Sequence, residues 1–324
     1  MQGERQMRVD PRRREFLSSA ITTGLCVVPA IGFADPPEKK LREPVLRVSK
    51  AKLGAGNKEV PSHPLDPALE MAASRLAYFR EHVRDYTCVM VKREQLDGKP
   101  AEREYMFAKV RSRRVENGRI VVPFSIYLYS LKPKEAAGRE VIYVEGRNAG
   151  KLVAHEAPNT LVYKTVGSVW LDPDGPIAMR GQRYGITHAG MENLLIKLLE
   201  RGNRDRQRGP CEVKNTVAKI NKRECDVIQI RHPERDKNHD FYLARIFMDR
   251  ETQLPVRYAS YQWPTSSRSK VGPVIEEYTY LNLKLNVGLT DADFNHRNPK
   301  YLFVRKAARK IAKKKAAAEA NKKR

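Results

Sequence analysis

The clearest periodicity in the chain lies at residues 275–294. Its second half alternates apolar and polar side chains, with the apolar ones at Leu281, Leu283, Leu285 and Val287. A period of two is typical of a strand that buries one face. Gly288 breaks the pattern, and Thr290 can then cap a short turn that begins with acidic residues, which a helix N-terminus favours. The stretch predicts the last strand of an antiparallel sheet, locked by a capped turn.

Strand-like segments recur earlier in the chain, separated by turn dipeptides such as Asp97-Gly98 and Asn117-Gly118. Besides the last strand we predict strands at residues 86–94, 102–112, 119–130, 141–145, 152–155, 161–171, 211–219, 224–231, 241–249 and 255–263. The pattern therefore predicts about eleven strands.

Two segments show helical spacing instead. In the first, Asp66 is the predicted cap and Pro67 the first helical residue. Its apolar face consists of Leu69, Ala72, Ala73, Leu76, Phe79 and Val83. The second helix is predicted at residues 187–201 and ends at Gly202. The simpler interpretation of the apolar face of the first helix is that it covers a sheet. The alternative is that it forms a lid over a ligand cavity.

Charge divides the 324 residues into unlike regions. The formal net charge is +24, and residues 305–324 hold ten Lys or Arg and one Glu. We therefore predict a basic Ala/Lys-rich tail at residues 304–324 and a flexible linker at residues 35–64. The domain between them spans residues 65–303. A basic surface attracts anionic membranes, envelope polymers or nucleic acid, and charge alone does not choose among them.

The N-terminal 34 residues predict export. Arg13 and Arg14 form a twin arginine, followed by Phe16 and Leu17 and by a weakly apolar run. Small residues then lead to Ala34, where we predict cleavage. This resembles a twin-arginine signal peptide. The expected location is the periplasm or cell envelope, which makes a nucleic-acid partner improbable.

The cysteines after the signal, Cys88, Cys211 and Cys225, are odd in number. If Asn221 and Lys222 centre a tight hairpin, Cys225 faces Ala218 while Cys211 lies about seven residues further along the ladder. That separation, roughly 23 Å at strand rise, is too long for a disulfide. We therefore expect buried free thiols.

Candidate chemistry is sparse. His232 and His239 bracket a charged loop, but no histidines pair at metal-ligand spacing on a recognisable helix, and we predict no metal or other cofactor. Glu276 and Glu277 are adjacent, so in a strand they face opposite sides and cannot act together as acid and base. The sequence contains no nucleophile elbow, phosphate loop or zinc-protease motif. We predict no catalytic residue.

Several segments together resemble the bacterial exported proteins grouped as domain of unknown function 1571. The similar positions are residues 85–88, 91–94, 97–98, 138–141, 249, 254–257, 276–280, 283–286 and 293–294. The strand pattern and the Leu-Pro-Val turn are also similar to the lipoprotein-carrier fold, a half-open antiparallel barrel closed by helices. Since the first family has no established activity, the resemblance implies no functional residue.

We accordingly predict an α+β domain in which a strongly curved antiparallel sheet packs on helices. The favoured function is non-enzymatic binding of a lipid or acyl chain in the concave face. We predict that the ligand is lined by Leu69, Leu76, Phe79, Leu281, Leu283 and Leu285. One alternative is an interaction protein whose basic surface and tail hold anionic polymer or membrane, which predicts salt-sensitive vesicle binding that requires residues 304–324. A hydrolase of unknown substrate is the third.

The export signal gives the first testable prediction. Replacing Arg13 and Arg14 together by Lys keeps the charge but removes the twin arginine, so uncleaved precursor should accumulate in the cytoplasm. Cell fractionation and immunoblotting measure this, with Arg12→Lys as the matched control. Normal export of the double variant would refute the assignment.

Overall fold

The computed structural model describes residues 47–49, 63–158, 167–235, 239–266 and 268–303. The predicted signal peptide, most of the predicted linker and the predicted tail lie outside these residues and stay predictions. Within the described part of the chain, no helix combines the length and apolar character needed to cross a membrane.

Two long helices and fifteen strands are described, together with 3-10 turns at Asn148–Gly150, Ile186–His188 and Asp291–Phe294. The helices are α1 (Asp66–His82) and α2 (Met191–Arg208). The strands are β1 (Arg47–Ser49), β2 (Asp85–Leu96), β3 (Lys99–Pro100), β4 (Glu104–Arg111), β5 (Arg114–Glu116), β6 (Arg119–Val122), β7 (Ser125–Lys132), β8 (Glu140–Val144), β9 (Leu152–His155), β10 (Ser168–Leu171), β11 (Glu212–Ile220), β12 (Arg223–Arg231), β13 (Leu243–Asp249), β14 (Pro255–Tyr261) and β15 (Val274–Leu285).

Thirteen of the strands form one curved antiparallel sheet, in the order β1-β11-β12-β13-β14-β15-β2-β4-β7-β8-β9-β10, with β3 paired to β2. Strand β15, the last in sequence, pairs with β2 in the middle of this order. The end strands β1 and β10 do not pair with each other among the described residues, so the sheet stays open. The predicted α+β fold class is confirmed.

The strand count differs from the prediction for local reasons. The segment predicted as one strand at residues 119–130 is divided at Pro123, because proline cannot donate to a strand ladder. Its first part, β6, pairs only with β5 in a separate hairpin, and its second part, β7, joins the main sheet. The predicted linker also contributes β1, which pairs with β11 and forms one edge of the sheet.

Cross-strand partners show which side chains share the concave face. One row crosses six strands and consists of Ile228, Ile246, Tyr258, Tyr278, Lys92 and Glu104. Directly paired residues point to the same side of a sheet. The row passes from apolar residues to aromatic and then charged ones, so the two halves of this face differ in chemistry.

Both helices lie over the apolar half. Leu65, Ala68, Leu69 and Met71 pack with Leu194 and Leu198 of α2 on a buried cluster from β12, β13 and β14. Gly202 does not end α2 as predicted, but lies within it, where an added Cβ would stand 2.7 Å from Leu69 Cδ2. Close packing of α1 thus accounts for a glycine that is costly inside a helix. The predicted cap Asp66 is the first residue of α1 instead, and Leu65 occupies the cap position.

A bulge in β15 breaks the alternation from which we predicted one apolar face. Asn282 has a positive φ of 52°, and the register with β2 shifts between Leu281 and Lys284. Leu281 therefore pairs with Val89, whereas Leu285 pairs with Tyr86. Since Val89 and Tyr86 point to opposite sides of β2, the bulge places Leu281 and Leu285 on opposite faces.

The C-terminal segment covers the convex face of β7, β8 and β9. Phe294, Tyr301 and Phe303 pack with Tyr127 and other buried side chains there. Thr290 N–H donates to Asp293 Oδ2 at 2.9 Å, which confirms the predicted capped turn.

The hairpin between β11 and β12 has the predicted register. Asn221 and Lys222 have positive φ values, Cys225 faces Ala218, and all three described cysteines are buried and free. Burial raises the pKa of Cys225 to about 12 and that of Cys211 to about 11. Both thiols are therefore neutral and poorly reactive near neutral pH.

Asp85 fastens the chain where it leaves β15. Its buried carboxylate accepts backbone hydrogen bonds from Val287 at 2.7 Å, Gly288 at 3.2 Å and Leu289 at 3.0 Å. The first residue of β2 thus holds the connection to the C-terminal segment.

We expect Asp85→Ala to lower the free energy of unfolding by about 3 kcal/mol, because it leaves three backbone donors without their charged acceptor. Urea denaturation measures the change. Asp291→Ala is the matched control: its side chain is 60% exposed and paired with Arg111 and Arg147, so the cost should stay below about 1 kcal/mol. Equal costs for the two variants would contradict this account.

Candidate functional site

A cavity of about 580 Å³ lies on the concave face, beyond the part that α1 covers. Its floor comes from β2, β4, β7, β8, β9, β10, β14 and β15, and residues 173–190 and α2 cover it. The volume falls within the roughly 300–1,000 Å³ typical of small-molecule sites.

One part of the wall is apolar. Its members are Met90, Met106, Leu128, Val141, Leu152, Ala154, Val169, Leu171, Ile177, Ile186 and Leu194. Several of them form a continuous row, because Leu128 pairs with Val141, Val141 with Ala154, and Ala154 with Val169. Neighbouring strands are roughly 5 Å apart, so this row provides an apolar surface roughly 15 Å long.

A second part of the wall is charged and centred on Glu276, which is 2% exposed. Arg201 Nη1 donates to Glu276 Oε1 at 2.5 Å, and Tyr184 Oη donates to Oε2 at 2.7 Å. Arg201 also donates to the hydroxyls of Tyr258 and Tyr184, at 3.2 Å and 2.5 Å. The acid is thus neutralised and hydrogen-bonded despite its burial.

Glu94, on the neighbouring strand, has its own set of partners. Tyr278 Oη donates to Oε1 at 2.5 Å and the backbone N–H of Arg183 donates to Oε2 at 2.9 Å. Lys92 Nζ lies 3.6 Å from Glu94 Oε2 and 3.5 Å from Glu104 Oε1, and it donates to Gln182. The segment that covers the cavity is therefore attached to the sheet by polar contacts.

Glu94 and Glu276 are direct cross-strand partners. This pairing was not predicted, because Glu94 and Glu276 lie on strands far apart in the sequence. As predicted, Glu276 and Glu277 face opposite sides: Glu277 accepts from the buried Arg257 at 3.0 Å, away from the cavity. Each cavity carboxylate has a cation within 4 Å: Lys92 lies near Glu94 and Glu104, Arg139 near Glu156, and Arg201 near Glu276.

The tyrosines of this wall keep their protons. Burial raises the pKa of Tyr278 well above its usual value, and Glu276 and Glu94 raise it further. Burial and Glu276 have the same effect on the pKa of Tyr184 and of Tyr258, although Arg201 opposes it. The pKa of Arg201 is raised despite its burial, because Tyr258 and Glu276 stabilise the cation. These groups are hydrogen-bond donors at neutral pH.

Two cations of the cavity wall have no carboxylate partner in the described ranges. Arg139 pairs with Glu156, and Lys92 and Arg201 pair as above. Arg180, which is exposed, and Lys197, which is half-buried, have no such ion pair; Lys197 Nζ lies 5.4 Å from the ring centroid of Tyr184. The cavity therefore offers positive charge beside its apolar surface.

The leucines and phenylalanine predicted as ligand-lining lie elsewhere. Leu69 lines a separate cavity of about 50 Å³ between α1, α2 and β12–β14. Leu76, Phe79, Leu281, Leu283 and Leu285 are not among the residues that line either cavity. The prediction placed the ligand under α1, but α1 fills its part of the concave face.

The charged wall yields a prediction about stability. Arg201→Ala should lower the free energy of unfolding by about 3 kcal/mol, because Glu276 then remains buried without its cation. Adding Glu276→Gln should restore part of the loss by removing the buried charge. Urea denaturation of both variants tests this, with Arg80→Ala, which breaks an exposed pair with Glu192, as the control. A cost for Arg201→Ala no larger than the control's would exclude the proposed compensation.

Comparisons with known proteins give a family and distant structural similarities. No curated protein matches the chain by sequence. Similar solved structures include a DUF1329 family protein from Desulfovibrio piger ATCC 29098, with 12% identity, a TM-score of 0.33 and coverage of 72% of this chain and 98% of that one. A domain named for outer membrane lipoprotein sorting, from Vibrio parahaemolyticus, has 13% identity, a TM-score of 0.34 and coverage of 72% and 97%. A LolA superfamily protein from Nitrosomonas europaea has 11% identity, a TM-score of 0.26 and coverage of 69% and 97%.

At such TM-scores and identities these structures carry no argument about this chain, and the fold assignment depends on its own strand pairing. The sequence match is more specific. The model of the family described as protein of unknown function DUF1571 matches residues 83–303, well over half of the chain. The chain therefore belongs to the DUF1571 family.

Proposed function

We propose that this protein binds an anionic amphiphile, such as a fatty acid or an acidic lipid, in the cavity on the concave face of its sheet. The observation that carries the proposal is the combination of an apolar wall with two cations that have no described carboxylate partner. The binding is non-enzymatic.

The apolar part of the ligand would lie along Leu128, Val141, Ala154 and Val169. Burying hydrocarbon there stabilises the complex by about 0.8 kcal/mol for each CH₂ group removed from water. An acyl chain therefore obtains most of its affinity from this wall, and chain length should influence affinity more than chain branching or unsaturation.

The head group would lie near Arg180 and Lys197. Both side chains reach the cavity, and neither is already neutralised by a described acid. Charge-assisted hydrogen bonds to a carboxylate or phosphate are about twice as strong as neutral ones. Glu94, Glu104, Glu156 and Glu276 are held by other partners and leave these two cations available.

The proposed place of action is the periplasm or cell envelope. The support is the twin-arginine signal of the sequence, which would export the domain already folded. A periplasmic protein that binds acyl chains would shield them from water between membranes, so the proposed role is carriage or sensing of a lipid.

Binding of a fluorescent fatty acid to the full chain tests the proposal, with native mass spectrometry of protein purified from the envelope as a second measurement. Ala154→Trp should reduce affinity at least tenfold, because the indole occupies the middle of the apolar row. Val115→Trp is the matched control, since Val115 is 55% exposed on the separate β5–β6 hairpin. It should bind like the unmodified protein.

A second experiment tests the proposed head-group site. Arg180→Ala combined with Lys197→Ala should weaken binding of the fatty acid, but should leave binding of the corresponding fatty alcohol unchanged. Lys151→Ala, at an exposed site outside the cavity, serves as control. If Ala154→Trp folds and binds as well as Val115→Trp, the cavity is not the ligand site.

A further inference from the structure

Three potential metal ligands meet at the end of α2, away from the large cavity. Asp205 lies in the last turn of α2, His232 follows β12, and His239 precedes β13. One ligand atom from each residue lies within 4.8 Å of the others. The two imidazole rings stack with centroids 4.0 Å apart, and His232 Nε2 is 3.5 Å from Asp205 Oδ2.

Three buried polar atoms on Asp205 and His232 have no hydrogen-bond partner among the described protein groups. Asp205 is 3% exposed and His232 is 1% exposed. The three atoms are Asp205 Oδ1, His232 Nδ1 and His232 Nε2. Leaving such atoms unpaired costs about 1–3 kcal/mol each. An apolar residue at position 205 or 232 would avoid that cost. A ligand that binds these atoms would remove the cost while keeping the polar residues.

We propose that Asp205, His232 and His239 bind a divalent transition metal ion, with Zn²⁺ as the reference ion. Imidazole nitrogen and carboxylate oxygen suit zinc, with bonds of roughly 2.0–2.2 Å in tetrahedral geometry. Those bonds place two ligand atoms roughly 3.3–3.5 Å apart. The 3.5 Å between His232 Nε2 and Asp205 Oδ2 already matches that spacing.

His239 is the ligand that must adjust. The rings are nearly parallel, at 18°, whereas a shared metal must lie close to the plane of both. His239 is only half-buried and precedes β13, so a rotation of its side chain can bring its nitrogen into place. All ligand atoms lie within 4.8 Å of one another, so closing any separation to tetrahedral spacing shortens it by at most roughly 1.4 Å.

The metal would join α2 to the connection between β12 and β13. Three protein ligands leave the fourth tetrahedral position to water or an external group, as in open zinc sites. This proposal replaces the sequence-based prediction of no metal, which considered His232 and His239 but could not see the helical Asp205 beside them.

In the alternative, no metal ion binds, and a protonated His232 forms an ion pair with Asp205. Calorimetric titration of the tag-free full chain with ZnCl₂, after removal of metals with EDTA, distinguishes the two. We expect one site with a micromolar or lower dissociation constant. We also expect a rise in melting temperature on adding zinc, because the ion binds only the folded chain.

Two variants identify the ligands. His239→Ala and Asp205→Asn should each reduce zinc affinity at least tenfold, while the metal-free melting temperature of His239→Ala stays near that of the unmodified protein. His82→Ala, on the exposed side of α1, should bind zinc normally. If zinc binding is absent, or if it persists unchanged in both His239→Ala and Asp205→Asn, the site does not exist and the ion pair explains the cluster.

Discussion

The pairing of β15 with β2 is the constraint on which the rest of the structure depends. It brings the last strand of the sheet against one of the first, so that β4 to β10 extend on one side and β14 to β11 on the other. Contacts between residues nearly two hundred positions apart hold the two halves in register. Asp85 reinforces the junction by binding three backbone amides beyond β15.

The same junction contains two buried carboxylates of the concave face, whose burial is energetically unfavourable. Glu94 and Glu276 face each other across β2 and β15, where two buried like charges would destabilise the sheet if left alone. Arg201 from α2, Tyr184 from the covering segment and Tyr278 from β15 supply the compensating groups. One polar network thereby links α2, the covering segment and the sheet. Its directional hydrogen bonds fix the relative positions of these elements more specifically than a purely apolar interface would.

The cavity exists because the helices cover only half of a long sheet. Strands twist relative to their neighbours, so a sheet of thirteen strands curls and acquires a concave face that something must fill. Over β12, β13 and β14, it is filled by Leu69 of α1, by Leu198 of α2 and by Leu65, which precedes α1. Over β4 and β7 to β10, α1 is absent, and residues 173–190 together with one side of α2 cover the space. The gap below them is the proposed ligand site.

The sequence by itself determined the features that depend on near neighbours. Alternation of apolar residues located most strands, Asn221-Lys222 fixed the β11–β12 register that keeps Cys211 from Cys225, and Thr290 with Asp293 marked the capped turn. The family motifs at residues 85–88 and 276–280 also pointed to the correct family. The export signal and the basic tail remain predictions from sequence.

Only the tertiary structure decided which residues meet. The bulge at Asn282 moved Leu281 and Leu285 to opposite faces, and no local pattern revealed it, because the partner strand lies far away in sequence. Close packing on Leu69 turned Gly202 from a helix end into a helix contact. The Glu94–Glu276 pair and the cluster of Asp205, His232 and His239 likewise join separate segments. Sites assembled from distant strands and helices depend on the register and packing of the whole sheet, and periodicity within one segment contains no information about either.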